Sequence, residues 1–438
     1  MQQNNKVSIY KRGKNMINEE KKVKYLIIGA GISGLSFANE LGNNNYIIVE
    51  KENEVGGFCR TIKKGEYIWD YAGHFFHFKT DEIKKMFIDN VGEENIICKN
   101  KNTKIYYNGD FIDYPFQSNI HQLKKDEFIE CLYDLFNKEE KENYENFLDM
   151  LYGKFGKAIV EKFLRPYNEK LYACDLSILD KEAMGRFFPY ADIKQIINNM
   201  KDSKDKSYNN TFLYPVFGAS YFIEKIYDKL DKSRVMLNTE IVSIDSESKI
   251  ALLSTGDKIK YDYLINTSPL NRFLEMLNNS YENLIKSLSY NKVLVLNLGF
   301  SKKSDMKEHW IYIPDKNINF YRIGFYDNIL DSDKLSMYIE IGFKKDDNID
   351  INEQLKLTLQ NLEKMGVIKD NELVSWSSII MDPAYIHISN ETNTKINDLM
   401  NDFEKNNIFS IGRYGAWTYC SMEDCIIEAK RLAKKLDH

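Results

Sequence analysis

Three glycines in "KVKYLIIGAGISGLSFANEL", Gly29, Gly31 and Gly34, follow an apolar run from Val23 to Ile28. They precede a stretch whose Leu35, Ala38 and Leu41 fall on one helical face. Glycine at these positions permits a tight turn, lets backbone approach a pyrophosphate and lets the helix pack closely on the strand, while the helix N-terminus attracts the anion. A second apolar run, "YIIVEK", carries Glu50 about 20 residues after the first glycine, where a carboxylate accepts hydrogen bonds from a ribose. Strand, glycines, helix, strand and acid in this order predict a dinucleotide site. A second chemically promising stretch, "GRYGAWTYCSMEDCIIEA" (412–429), sets an arginine, large aromatics and small residues in front of an apolar helix.

These residues belong to a chain of 438 residues, which is enough for two or three domains. The formal net charge is −5, and Lys and Arg are dispersed, so no nucleic-acid partner is expected. Six cysteines (59, 98, 131, 174, 420 and 425) show neither the CxxC pairs of a metal site nor the density of a disulfide scaffold. They are expected to be ordinary thiols of a reduced cytosol, with no metal. No apolar run reaches the roughly 18 to 20 residues that span a bilayer. The polar residues 1–20 predict a loose tail rather than a signal peptide, hence a soluble, cytoplasmic protein.

From Ile120 to about Ser207 apolar residues recur at three- and four-residue spacing, predicting a helical insertion. Alternating runs such as "NKVLVLNLGF" and "KLSMYIEIGF" predict antiparallel strands between about Leu274 and Ile388.

Beyond the acid, "EKENEVGGFCRT" offers Lys51, Gly56, Gly57, Arg60 and Thr61; far downstream lie "RVMLNTEIVSID" and "KYDYLINTSPL". Together with the C-terminal Gly-Arg stretch these resemble the FAD-binding framework of the amine oxidase and glutathione-reductase-like families. That resemblance implies an α/β fold: a discontinuous Rossmann-like FAD domain (21–100, 208–272 and 396–438), a helical insertion (121–207) and an antiparallel β-sheet substrate domain (101–120 and 273–395). It implies cofactor contacts from Gly29, Gly31, Gly34, Glu50, Lys51, Gly57, Arg60, Thr61 and Arg413. Val242 would bring its backbone to the adenine, and the helix from Ser421 and Met422 would aim its N-terminus at the flavin.

Four further segments, "DYAGHFFHF", "YYNGDFIDYPFQSNI", "RPYNEKLYACDLSILDKEAMGRFFP" and "NFYRIG", together resemble UDP-galactopyranose mutase and its relatives. Protoporphyrinogen-oxidase-like proteins share the framework, and an FAD-dependent oxidase or dehydrogenase is the alternative expectation. The mutase resemblance implies reduced FAD acting as a covalent catalyst on a nucleoside-diphosphate sugar, in polysaccharide biosynthesis, without net oxidation. It places Arg186 and Arg322 on the leaving diphosphate, Tyr167, Tyr385 and Tyr419 on its oxygens, and His77 and His74 near the isoalloxazine. A homodimer stands among its expected partners. Three departures are visible: Tyr172 where the family has Trp, Ser421 where it has an acid, and "PVFGASY" lacking the second glycine of a turn.

Overall fold

The computed structural model describes residues 21–43, 45–200, 211–277 and 281–436. The expected tail, 1–20, and the end of the helical stretch, 201–207, lie outside the described residues.

The first sheet forms around the strand Lys21–Ile28, which pairs in parallel with Tyr46–Val49 on one side and Lys258–Asn266 on the other. Every residue of Tyr46–Val49 is buried, which is what an unbroken apolar run requires when helices cover both faces. Alternate residues serve opposite faces. Tyr25 and Ile27 pack with the helices α1 (Ile32–Glu40) and α3 (Met422–Leu436) through Leu35, Phe37, Ile426 and Ala429. Leu26 and Ile28 pack with Leu264, Phe273 and Phe403 below. Gly34 makes the first contact possible: a Cβ there would stand 2.1 Å from the Gly29 carbonyl oxygen. The sheet order is 241–245, 250–253, 258–266, 21–28, 46–49, 235–236, with Ile408–Ser410 added in parallel to Leu264–Asn266. Three separated stretches of chain therefore build one Rossmann-like sheet, as the fold-class expectation has it.

The second sheet runs 373–381, 291–300, 336–344, 322–325, 310–312, 103–107, 110–113. It is antiparallel apart from Trp310–Tyr312, which lies parallel to Thr103–Tyr107 because that strand comes from much earlier in the chain. After the strand Asp110–Asp113 come the helices Lys125–Phe136 and Phe147–Ile159, whose apolar faces meet at Cys131, Leu135, Phe147 and Leu151. A π-type turn, Val160–Leu164, then leads into α2 (Arg165–Tyr172). Such turns displace the residues that follow relative to a regular helix, and here those residues include Tyr167 and Lys170.

Candidate active site

The glycine turn is shaped for a dinucleotide. Helix α1 starts at Gly31 with no side-chain cap and no acid in its first turn, so its leading N–H groups are left for an anion. Gly57 faces Gly31, and its φ of +57° is a left-handed backbone conformation that favours glycine. Glu50 is buried at the end of the second strand and accepts the N–H groups of Ala30 (2.8 Å) and Glu52 (3.0 Å), which fixes its carboxylate beside the turn. These residues fit the adenosine diphosphate half of FAD.

Arg413 follows the last strand of this sheet. Its guanidinium stands 4.5, 5.2 and 5.9 Å from the ring centres of Tyr419, Tyr385 and Tyr414. Its Nη1 donates to the Cys420 carbonyl at 3.4 Å, while Nε is buried with no partner, and no carboxylate pairs with it among the described residues. A half-buried cation lined by rings, with an unspent donor, suits an anionic group from a ligand. The resemblance assigned Arg413 to the flavin diphosphate and Tyr385 and Tyr419 to the substrate, and these three side chains adjoin one another.

The two expected clamp arginines are both engaged with carboxylates. Arg322 lies directly opposite Glu340 on the neighbouring strand, and its Nη2 donates to Oε1 at 2.6 Å. Glu340 is 1% exposed, and neither Arg322 Nε nor Glu340 Oε2 has a partner. Arg186, in the turn Gly185–Phe187, donates Nη2 to both oxygens of Asp424 (2.7 and 2.6 Å) and to Ser421 Oγ at 3.3 Å. Both expected clamp arginines thus carry a carboxylate partner that the motifs did not reveal, Glu340 buried and Asp424 partly exposed.

Phenols join these cations into one cluster. Tyr385 stacks on Tyr419 (6.1 Å), Tyr419 meets Phe187 (5.3 Å) next to Arg186, and Tyr167 meets Tyr312 (5.2 Å) and Tyr321 (6.2 Å) in front of Arg322. Burial holds Tyr167, Tyr312 and Tyr385 above their ordinary titration range even though Arg322 opposes the shift, so these phenols stay protonated donors. His74 stands within electrostatic reach of Glu340, Arg413 and Arg322; desolvation lowers it to about 4, and its Nδ1 is buried without a partner. Tyr167, Arg322, Tyr385, Arg413, Tyr419 and His74 are therefore brought together.

Other expected residues serve differently. His77 lines an adjoining small cleft with Phe75, Phe187, Ser421 and Met422; its Nδ1 lies 3.0 Å from the Thr211 carbonyl, and burial lowers it to about 4. Ser421 and Asp424 cap each other at the start of α3, with Ser421 N donating to Asp424 Oδ2 (2.8 Å) and Asp424 N to Ser421 Oγ (3.2 Å). The expected bare helix end is therefore partly occupied. Glu423 reaches across to accept Thr80 N and Oγ1, tying α3 to the helix Asp81–Val91. Arg60 donates Nε to the Gly57 carbonyl (2.8 Å) and braces the loop from within. Thr61 donates to Asp70 (2.6 Å) and accepts from Ser220 N (3.0 Å), so its hydroxyl is already used on both sides. Lys51 is an exposed residue beside Glu52, and the Val242 side chain is 55% exposed on its strand.

Four residues escaped the sequence: Glu340, Asp424, Tyr312 and Lys170. Lys170 Nζ donates to the carbonyls of Ile313 (3.0 Å), Asp315 (2.8 Å) and Phe320 (2.5 Å), pinning α2 to the loop that delivers Tyr321 and Arg322.

The family model for flavin containing amine oxidoreductase matches residues 32–436. A protoporphyrinogen oxidase of Dictyostelium discoideum is 24% identical over 332 residues, covering 70% of this chain and 59% of that protein. A UDP-galactopyranose mutase of Mycoplasma genitalium is 26% identical over 209 residues, covering 43% of this chain and 50% of that protein. The chain thus spans between half and three-fifths of the length of these relatives. Among solved structures, reduced UDP-galactopyranose mutase superposes with a TM-score of 0.89 at 23% identity, covering 94% of this chain and 93% of that one. A putative protoporphyrinogen oxidase from Exiguobacterium sp. 255-15 superposes with a TM-score of 0.75 at 16% identity, covering 95% and 98%. At these identities the superpositions establish the fold. No helix among the described residues is long and apolar enough to cross a membrane.

Proposed function

Because the chain belongs to the flavin containing amine oxidoreductase family and its cofactor is FAD, we propose that it interconverts the pyranose and furanose forms of a nucleoside-diphosphate sugar. The observation that carries this reading is the convergence of Arg322, Arg413 and Arg186 with Tyr167, Tyr385 and Tyr419 on one cleft. An apolar or amine substrate gains nothing from such a wall, whereas a diphosphate leaving group does.

FAD, reduced, supplies the electron-rich centre toward which the anomeric carbon is presented. The protein's share is electrostatic. Arg413 offers its unspent donor, and Arg322 keeps Glu340 on one nitrogen while its remaining donors are left for a phosphate oxygen. The phenols of Tyr385 and Tyr167 donate because burial keeps them protonated. Charge on the diphosphate grows as the glycosyl bond breaks, so these donors stabilise the transition state more than the ground state. His74, neutral near pH 7, holds or moves a proton without adding charge beside the cations.

The oxidoreductase alternative draws on one observation: Asp424 and Glu340 already neutralise Arg186 and Arg322, which leaves Arg413 to carry the positive charge of the cleft. The two readings separate when dithionite-reduced protein is mixed with a panel of UDP- and dTDP-hexoses and the ring forms are resolved by chromatography. Ring isomer formed without stoichiometric consumption of reductant supports the mutase. Steady oxygen consumption with an amine or a tetrapyrrole, and no ring isomer from any sugar, supports the oxidoreductase.

A further inference from the structure

Cys420 and Cys425 flank the first turn of α3. Their sulfurs lie 3.6 Å apart, one thiol donating toward the other. Cys425 is 5% exposed, whereas Cys420 is half-buried and so is the sulfur a small reagent meets first. The residues between them, Ser421 to Asp424, carry the Ser421–Asp424 cap, the Arg186 ion pair and the Glu423 link to the neighbouring helix. Cys420 itself offers the carbonyl that accepts Arg413, and it follows Tyr419. Any change in the bond between these sulfurs therefore acts on the cation cluster and on the flavin side of the cleft.

We propose that Cys420 and Cys425 are a reversible disulfide site that exchanges electrons with low-molecular-weight disulfides. Closing the bridge requires the sulfurs to approach from 3.6 Å to about 2.05 Å, a shift confined to the start of the helix. The exchange runs in two balanced steps. Cys420 loses its proton and its sulfur attacks one sulfur of the small disulfide, forming a mixed disulfide and releasing one thiolate. The Cys425 sulfur, deprotonated, then attacks Cys420 Sγ and expels the second thiolate. The two cysteines are oxidised by two electrons, the small disulfide is reduced to two thiols, and the two protons end on those thiols. Cys59, buried close by and pushed up to about 12 by burial, stays a thiol and serves as an internal control. Bridging draws the Cys420 carbonyl away from Arg413, so the oxidised form releases FAD faster.

The test uses the flavin-loaded full chain equilibrated with mixtures of oxidised and reduced glutathione, quenched in acid, alkylated and cut with trypsin. Cleavage after Arg413 and Lys430 leaves both cysteines in one peptide, residues 414–430. The expected result is a peptide lighter by two hydrogens and closed to alkylation, restored by dithiothreitol, with Cys59 alkylated on unfolding throughout. Cys420→Ser and, separately, Cys425→Ser each abolish the bridged peptide; Cys420, being half-buried, is the variant that retains the fold if Cys425→Ser does not. FAD release, followed by fluorescence of the freed flavin, is expected to speed up at least several-fold on oxidation of the wild type and not of Cys420→Ser. Full alkylation of both cysteines at every glutathione ratio overturns the site, and a bridged protein that releases FAD at the reduced rate overturns its coupling to Arg413. Neither readout depends on which sugar or amine the enzyme turns over.

Discussion

Replacing Arg322 by methionine removes the cation paired with a carboxylate that is 1% exposed. Glu340 then keeps a buried charge with no counter-ion, and breaking such a pair from one side costs roughly 3 to 5 kcal/mol. Neutralising Glu340 at the same time, in Arg322→Met with Glu340→Gln, removes the charge and recovers most of that loss. Catalysis responds differently. If Arg322 donates to a diphosphate whose charge grows in the transition state, both variants lose a donor worth about 3 kcal/mol, on the order of 10²-fold in turnover. The assay is urea unfolding by circular dichroism alongside turnover per bound flavin, on wild type, single and double variants. The expected pattern is a lowered unfolding midpoint in the single variant, a midpoint near wild type in the double, and low turnover in both. A single variant as stable as wild type refutes the buried-pair energetics, and a double variant with near-normal turnover refutes Arg322 as the anion's donor.

Extraction of the purified protein is expected to yield FAD, identified by mass; a colourless protein that cannot be reconstituted with FAD contradicts the glycine-turn reading. Arg413→Lys keeps the charge but loses the planar fork, so turnover per bound flavin is expected to fall about 10²-fold, measured with the flavin content of the same sample. Gly34→Ala puts a methyl group 2.1 Å from the Gly29 carbonyl oxygen and is expected to give protein without flavin, read from the visible absorbance of the purified sample. Asp70, fully buried, is raised by desolvation from 3.8 to about 7. The folded state therefore binds the proton more tightly, and the stability from this group is present below pH 3.8 and lost as pH rises through about 7. Relative to Asp70→Asn, wild-type stability is expected to fall between pH 4 and 7, and a constant difference across that window contradicts the assignment.

What the sequence disclosed and what it withheld divide by distance along the chain. Gly29, Gly31, Gly34 and Glu50 were legible because turn, helix and strand are local and each residue type has a steric or electrostatic reason to be there. Ser421-x-x-Asp424 also carried a signal, since a serine followed three residues later by an acid is a helix-start pattern, although its effect on Arg186 was not visible. Glu340 was hidden because its pairing with Arg322 is set by strand register, which no short motif encodes. Lys170 was hidden for a related reason: its three acceptors are backbone carbonyls of a loop some 145 residues away, and carbonyls have no sequence signature. The partners of the Thr61 hydroxyl, Asp70 and the Ser220 N–H, were hidden too, since the family resemblance that gave Thr61 a cofactor contact carries no sign of them.

The strand Ile408–Ser410, which pairs with Leu264–Asn266 and leads straight into Gly412 and Arg413, has a consequence for how the molecule is made. A ribosome makes the glycine turn long before the strand that completes its sheet and before the helix α3 that packs on α1 and receives Tyr25 Oη at the Leu436 carbonyl. Through most of synthesis Lys258–Asn266 has an open flank where 408–410 will lie, and Arg413 is absent. Cofactor capture therefore waits until the late strand closes the floor, the turn after it supplies Arg413 and α3 covers the apolar core.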